Sequence, residues 1–208
     1  MHMDMLMKLK NTGKKIMHKI NLDLFRKEIL NESKKYIVKD GWNENLLESI
    51  SKKRKFKINE ITALFPEGYL SLLKYYLKEL NLQMTHSSKN LNLSQMKVHE
   101  RIREIILLRL KNSQDEKELI KKTYFNFLLP CHHKIALISL YETVDQIWFI
   151  ARDNSTDFNF YSKRAILAAI YSSTVLHWMN NNSFNQTKIF LDNQLKKVSK
   201  IDQRCVKV

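Results

Sequence analysis

Three sets of side chains have the composition to do chemistry. Cys131, His132 and His133 set a thiol beside two imidazoles, the donors a transition metal or a nucleophilic mechanism draws on. Adjacent residues of a helix point about 100° apart, so two neighbouring histidines do not converge on one ion. No carboxylate stands at a spacing to complete such a site, and the pair reads as first-turn residues after Pro130. The two cysteines, Cys131 and Cys205, lie far apart without metal-type spacing, as expected of reduced thiols. HExxH, ExxH, a glycine-rich phosphate loop and a nucleophile elbow are all missing. The expectation is a protein with no catalytic residue, no metal and no cofactor.

The second set is basic. Lys52, Lys53, Arg54, Lys55 and Lys57 precede a short apolar-periodic segment, KINEITALFPEG at 57–68. A basic turn followed by a short helix is what a helix-turn-helix reader needs. The lysines would hold phosphates, and the second helix would offer polar side chains to base edges. The outward positions of that helix include Asn59 and Glu60, and a carboxylate near the duplex opposes the phosphate charge. DNA binding and a retained scaffold with a solvated or membrane-facing turn are both open on these residues.

The third set is apolar and aromatic. In the segment 132–151, Leu137, Leu140, Tyr141, Val144, Ile147 and Trp148 form a broad apolar face. In 158–179, Ala165, Leu167, Ala168, Tyr171, Ser172, Val175 and Trp178 form another. The small residues Ala168, Ala169, Ser172 and Ser173 either let helices approach closely or leave a slot beside them. Trp148 and Phe149 are adjacent and cannot share one core. An aromatic ring near Asp145 and Asp153 is therefore expected at the surface, where it can form a partner patch.

Helices must position these groups. With 3 glycines and 2 prolines in 208 residues, sheets and barrels, which use glycine at turns and bulges, are disfavoured. Apolar periodicity and caps predict nine helices, beginning with 23–38, two short helices around 46–50 and 58–64, and 68–81. A polar loop over 83–93 then precedes helices at 94–110, 114–129, 132–151, 158–179 and from 183 to about 201. Ser113 to Glu116 and Ser183 to Gln186 read as capping boxes, and 153–157 as a tight acidic turn. The division expected is a mobile basic leader at 1–20, a helix-turn-helix head at 21–82 and a helical body at 83–208. The fold class is all-α.

The formal net charge of +15 favours nucleic acid or an anionic membrane surface, although scattered lysines also solvate a surface. No stretch is apolar for the roughly 20 residues that span a bilayer. The most apolar segment, 135–151, is broken by Glu142 and Asp145. The first 19 residues lack the apolar core and cleavage site of a signal peptide.

Several stretches resemble the lipid-binding accessory protein family of ubiquinone biosynthesis, the ninth in that pathway's protein series. They are Gly41-Trp42, ITALFPEG at 61–68, Arg101-Ile-Arg-Glu with Leu108-Arg-Leu110, FLDNQ at 190–194, and above all VDQIWFIARDNSTDFNFYSKRAILAAIYSST at 144–174. The resemblance covers about 22–201. It implies a TetR-like fold, an isoprenoid quinone held in an apolar cavity of the body, and a partner, the di-iron hydroxylase that acts on demethoxyubiquinone. The matching partner-binding positions are Asp145, Trp148 and Phe149, the last standing where a tyrosine is usual. Helical faces then give Ile106, Leu110, Leu140, Val144, Leu167, Tyr171 and Val175 as the expected lipid lining.

Family members often carry a further C-terminal amphipathic helix that docks on membranes. No such apolar stripe follows the ninth helix before Val208, so docking through the basic surface onto anionic lipid is expected instead. A homodimer is natural for the fold. The expected location is the bacterial cytoplasm, peripheral at the inner membrane, with mitochondria the counterpart in eukaryotic relatives. The alternative function is a TetR-type transcriptional regulator sensing a lipid, against which Glu60, and Lys55 at a position usually glycine, both count.

Overall fold

In a computed structural model the backbone is described for residues 2–52, 56–152 and 159–205, and side chains for 21–52, 56–152 and 160–198. Nine α-helices account for most of the described residues, and no strand occurs among them. They are α1 (His2–Asp40), α2 (Leu46–Ser51), α3 (Ile58–Leu64), α4 (Tyr69–Ser88), α5 (Val98–Asn112), α6 (Lys117–Phe127), α7 (His133–Ile150), α8 (Asn159–Asn180) and α9 (Phe184–Cys205). Among the described residues no helix is long and apolar enough to cross a membrane.

The chain divides into two compact units, Met1–Leu73 and Lys74–Val208, with the division inside α4. In the first unit α1 packs on α2 and α2 on α3. Ile29, Ile37, Leu46, Ile50, Ile61 and Phe65 are buried there. Gly41 ends α1 at φ +78°, where its amide donates to Ile37 O at 2.8 Å. A left-handed residue just past a helix is what glycine tolerates without a Cβ clash.

The helix-turn-helix connectivity is present as α2 and α3. Glu60 Oε2 accepts the Lys57 backbone N–H at 3.4 Å, so its carboxylate serves the start of α3. Of the basic turn, Lys53, Arg54 and Lys55 lie outside the described residues, as does the acidic turn at 153–157.

In the second unit α5 is central and packs against α7, α8 and α9. Their shared core holds Ile102, Ile105, Ile106, Leu110, Val144, Ile147, Leu167, Val175, Trp178 and Leu191. Two arginines of the 101–104 motif fasten this arrangement. Arg101 Nη1 donates to Ala151 O at 3.0 Å, satisfying a carbonyl at the end of α7. The Arg103 fork binds Asp192 of α9, Nε to Oδ1 at 2.5 Å and Nη2 to Oδ2 at 3.1 Å.

Several sequence expectations are corrected. The first helix starts at His2 rather than at 23, since 2–22 is dominated by Met, Leu and Lys and holds no proline. The expected loop at 83–93 is helical to Ser88, because no Gly or Pro stops it and Met84 and Ser88 are buried. A 3-10 turn then covers Leu93–Gln95.

The capping box at Ser113 does not form. Ser113 is the C-cap of α5, and residues Gln114–Glu116 make a 3-10 turn. Glu116 is turned instead toward Tyr76, whose hydroxyl donates to Oε2 at 3.2 Å. At Ser183 the first half of the second box is present, with Gln186 N donating to Oγ at 3.5 Å.

Candidate functional site

The second unit encloses a cavity of about 310 Å³, near the lower end of the roughly 300–1,000 Å³ usual for small-molecule sites. Helices α4 to α8 all contribute to its wall, with Leu77, Leu80, Leu110, Ile120, Phe127, Leu140 and Val175 among the apolar residues. Leu128 and Leu137 belong to the same wall yet are 71% and 67% exposed. They and the exposed Leu176 mark an apolar mouth. Phe125, Leu129, Ile138 and Tyr141 are exposed on the same stretch of α6 and α7.

Of the seven residues expected to line a lipid slot, the cavity wall includes Leu110, Leu140, Tyr171 and Val175. Ile106, Val144 and Leu167 are sealed in the α5–α7–α8–α9 core. The distinction is one of position along the helix, not of helical face. Ile106 and Leu110 share a stripe on α5, but only Leu110 reaches the level where α6 completes the wall.

One corner of the cavity is polar, and sequence reasoning missed it. Arg109 of α5 is buried and lines the cavity. Its Nε donates to Tyr171 Oη at 2.7 Å. Its Nη1 donates to Asn81 Oδ1 at 2.8 Å and Leu80 O at 3.1 Å. Thr143 Oγ1 donates to the same Asn81 Oδ1 at 3.1 Å.

Tyr76 and Tyr124 complete this corner. Both phenols are held well above the ordinary tyrosine range. For Tyr76, burial acts first and the Glu116 carboxylate second. For Tyr124, burial dominates, and neighbouring Tyr171 adds to it. The signal available in the sequence was a lone arginine inside the apolar stretch Ile105 to Leu110.

The three residues expected to meet a partner lie apart in environment. Asp145 is half exposed, and its Oδ1 accepts both Nε and Nη2 of Arg164 at 2.9 and 2.7 Å, tying α7 to α8. Trp148 is 8% exposed, and its indole N–H has no acceptor among the described residues. Phe149 is 74% exposed. The face therefore offers one bare ring with an ion pair one turn away, while the tryptophan is turned into the core.

His132 is buried, with Nδ1 3.0 Å from Asn126 O, while His133 is exposed. Among the described residues no three His, Cys, Asp or Glu side chains gather where they could hold a metal.

Residues 134–202, from the start of α7 into α9, match the family model COQ9. The chain is 27% identical over 179 residues to the ubiquinone biosynthesis protein COQ9-A, mitochondrial, of Xenopus laevis, covering 82% of this chain and 56% of that protein. It is 31% identical over 142 residues to COQ9 of Rattus norvegicus, covering 64% and 46%. It is 28% identical over 136 residues to coq9 of Schizosaccharomyces pombe, covering 64% and 54%. The chain thus spans about half the length of the curated relatives it matches.

Among solved structures, a TetR transcriptional regulator from Nitrosomonas europaea superposes with a TM-score of 0.69 at 18% identity. That match covers 84% of this chain and 98% of that one. The fold is TetR-like.

Proposed function

We propose that this chain, which resembles the COQ9 family, is a non-catalytic, lipid-binding accessory protein of ubiquinone biosynthesis. In this reading it takes up an isoprenoid quinone intermediate and presents it to the di-iron hydroxylase that acts on demethoxyubiquinone. The observation that carries it is the cavity of about 310 Å³ in the second unit, walled partly by the helices that match the family model. Its apolar mouth at Leu128 and Leu137 supports the same reading.

The physics asks for little more. A polyprenyl chain stays in the bilayer because each CH₂ moved into water costs about 0.8 kcal/mol. A protein competes with the bilayer only by offering hydrocarbon in exchange. The leucine mouth offers it at the surface, and the cavity continues it inward. No bond is made or broken, so the chain supplies no nucleophile and no proton donor. Phe149 then gives the hydroxylase an aromatic anchor, with Asp145 and Arg164 at its rim. The net charge of +15 draws the protein to anionic lipid headgroups at about 1 kcal/mol per well-placed Lys or Arg. The protein acts as a homodimer at the surface of a quinone-making membrane.

The test is organic extraction and mass spectrometry of protein purified from a quinone-making host. Polyprenyl quinones or their precursors, enriched with the wild type and lost from Val175→Trp, are expected. A wild type free of isoprenoid lipid refutes the reading.

A further inference from the structure

The polar corner of the cavity is built to donate hydrogen bonds. Arg109 uses Nε on Tyr171 and Nη1 on Asn81, Leu80 and, at 3.9 Å, Met84 Sδ. Its other amino group, Nη2, donates to nothing among the described residues, and it is not among the sealed unpartnered atoms. It therefore has accessible surface, and the cavity is the space that Arg109 lines. No carboxylate pairs with Arg109 among the described residues.

A guanidinium keeps its charge and has donors only. Placing it in an apolar wall without a counter-ion leaves donor capacity unfilled, which is unfavourable unless a ligand fills it. The nearby amide and carboxylate acceptors are already engaged. Asn81 Oδ1 receives Arg109 and Thr143, and Glu116 receives Tyr76. A ligand that enters with an O–H or N–H meets only neutral hydroxyls such as those of Ser139 and Ser172, and one that enters with a bare oxygen finds a charged donor.

We infer that the cavity recognises its ligand by an acceptor oxygen, a ring carbonyl or a carboxylate, which takes the remaining N–H groups of Arg109 beside the Tyr171 hydroxyl. The hydrocarbon end of the ligand then leaves past Leu128 and Leu137. This rests on the cavity being a lipid site and adds what selects the lipid. The oxygenated end lies inside and the chain lies at the mouth, so handing the ligand over requires it to turn or withdraw.

The experiment compares two probes that differ only in their oxygens, a benzoquinone and a benzene ring each bearing the same two-isoprene chain. Binding is measured by competition with a fluorescent lipid. The full chain is expected to bind the quinone at least about tenfold more tightly than the benzene, the worth of a hydrogen bond from a charged donor. Arg109→Gln is expected to remove that ratio, and Arg109→Lys to restore part of it. An arginine that only ties α4, α5 and α8 together would weaken both probes alike and leave the ratio intact, which overturns the inference.

The wild type alone suffices if Arg109→Gln fails to fold, since equal binding of the two ring probes, together with equal binding of a fatty acid and its methyl ester, is already a refutation. A fatty acid of similar length and its methyl ester separate the sources. Quinone bound more tightly than the acid assigns a neutral carbonyl, and acid favoured over both ester and quinone assigns a carboxylate. If neither ring-bearing probe binds, the lipid reading falls with it. If both bind equally and the acid gains nothing over its ester, the lipid reading stands and the role of Arg109 does not.

Discussion

Phe149 and Trp148 are neighbours on α7, and truncating each to alanine separates a contact face from a core. Phe149 is 74% exposed, so Phe149→Ala removes little buried area and should change stability by no more than about 0.5 kcal/mol. Trp148 is 8% exposed and packs in the core with Ile147, Ala151 and Leu167. Deleting a buried tryptophan costs about 3–5 kcal/mol, through lost transfer energy and the void left behind. Its unpartnered indole N–H places Trp148→Ala toward the lower end, since one desolvated donor goes with the ring. For a chain of this size the penalty is a fall in Tm of roughly 6–20 °C.

Urea and thermal denaturation measure those effects, and calorimetric titration with the hydroxylase measures the other half. If the ring of Phe149 is an interface anchor, its loss weakens association by about 2 kcal/mol or more while the fold is untouched. Weakening by Trp148→Ala should follow the fraction unfolded. A Phe149→Ala variant that loses several kcal/mol of stability, or a Trp148→Ala variant as stable as wild type, refutes the assignment of faces. A stable Phe149→Ala variant that binds the hydroxylase normally refutes the partner role.

Three further outcomes follow from the second unit. Ile106→Ala should cost about 2–5 kcal/mol because the side chain is fully buried in closed core, whereas Leu140→Ala, on the cavity wall, should cost less and enlarge the space open to lipid; denaturation and lipid binding on both variants check the contrast. Arg103→Ala breaks a part-exposed fork to Asp192, and should lower stability by about 0.5–1 kcal/mol, less at high salt, as read from urea midpoints at two ionic strengths. The phenols of Tyr76 and Tyr124 are both raised in the folded chain, chiefly by burial. The unfolded chain then loses those protons first, so their contribution is intact below the ordinary tyrosine value of about 10 and is lost as pH climbs above it toward the folded values. An ultraviolet titration should show these two tyrosines ionising only with alkaline unfolding, and early reversible ionisation of every tyrosine would contradict it.

How far the sequence reached depended on whether local periodicity or distant partners decided the outcome. Helices α7 and α8 were legible to within a residue or two because their apolar stripes are long and their ends are marked by Pro130 and Asn180. The 3-10 turn at Gln114–Glu116 was not legible. Ser113 and Glu116 have the right types and spacing for a capping box, but Tyr76, 40 residues away, takes the carboxylate. The extension of α4 to Ser88 was hidden by its polar composition, since only Met84 and Ser88 face inward there. These are cases of tertiary contacts overriding a local rule.

Apolar stripes alone do not distinguish a cavity from a core. Ile106 and Leu110, or Val144 and Leu140, have the same sequence signature one helical turn apart. What separates them is where five helices stop interlocking. Arg109 stands beside that boundary, with four hydrogen bonds reaching α4 and α8. A polar side chain bridging three helices holds them at the length of its own reach, farther apart than leucine against leucine would. Ser172 and Val175 of α8 line the same cavity. If that bridge sets the helix spacing, the arginine that gives the cavity its donor also props it open. Arg109→Leu should accordingly close the space as well as remove the charge. Lipid capacity would fall further in Arg109→Leu than in Arg109→Lys, which keeps a long polar arm; equal capacity in the two would show that the cavity is set by the backbone rather than by this bridge.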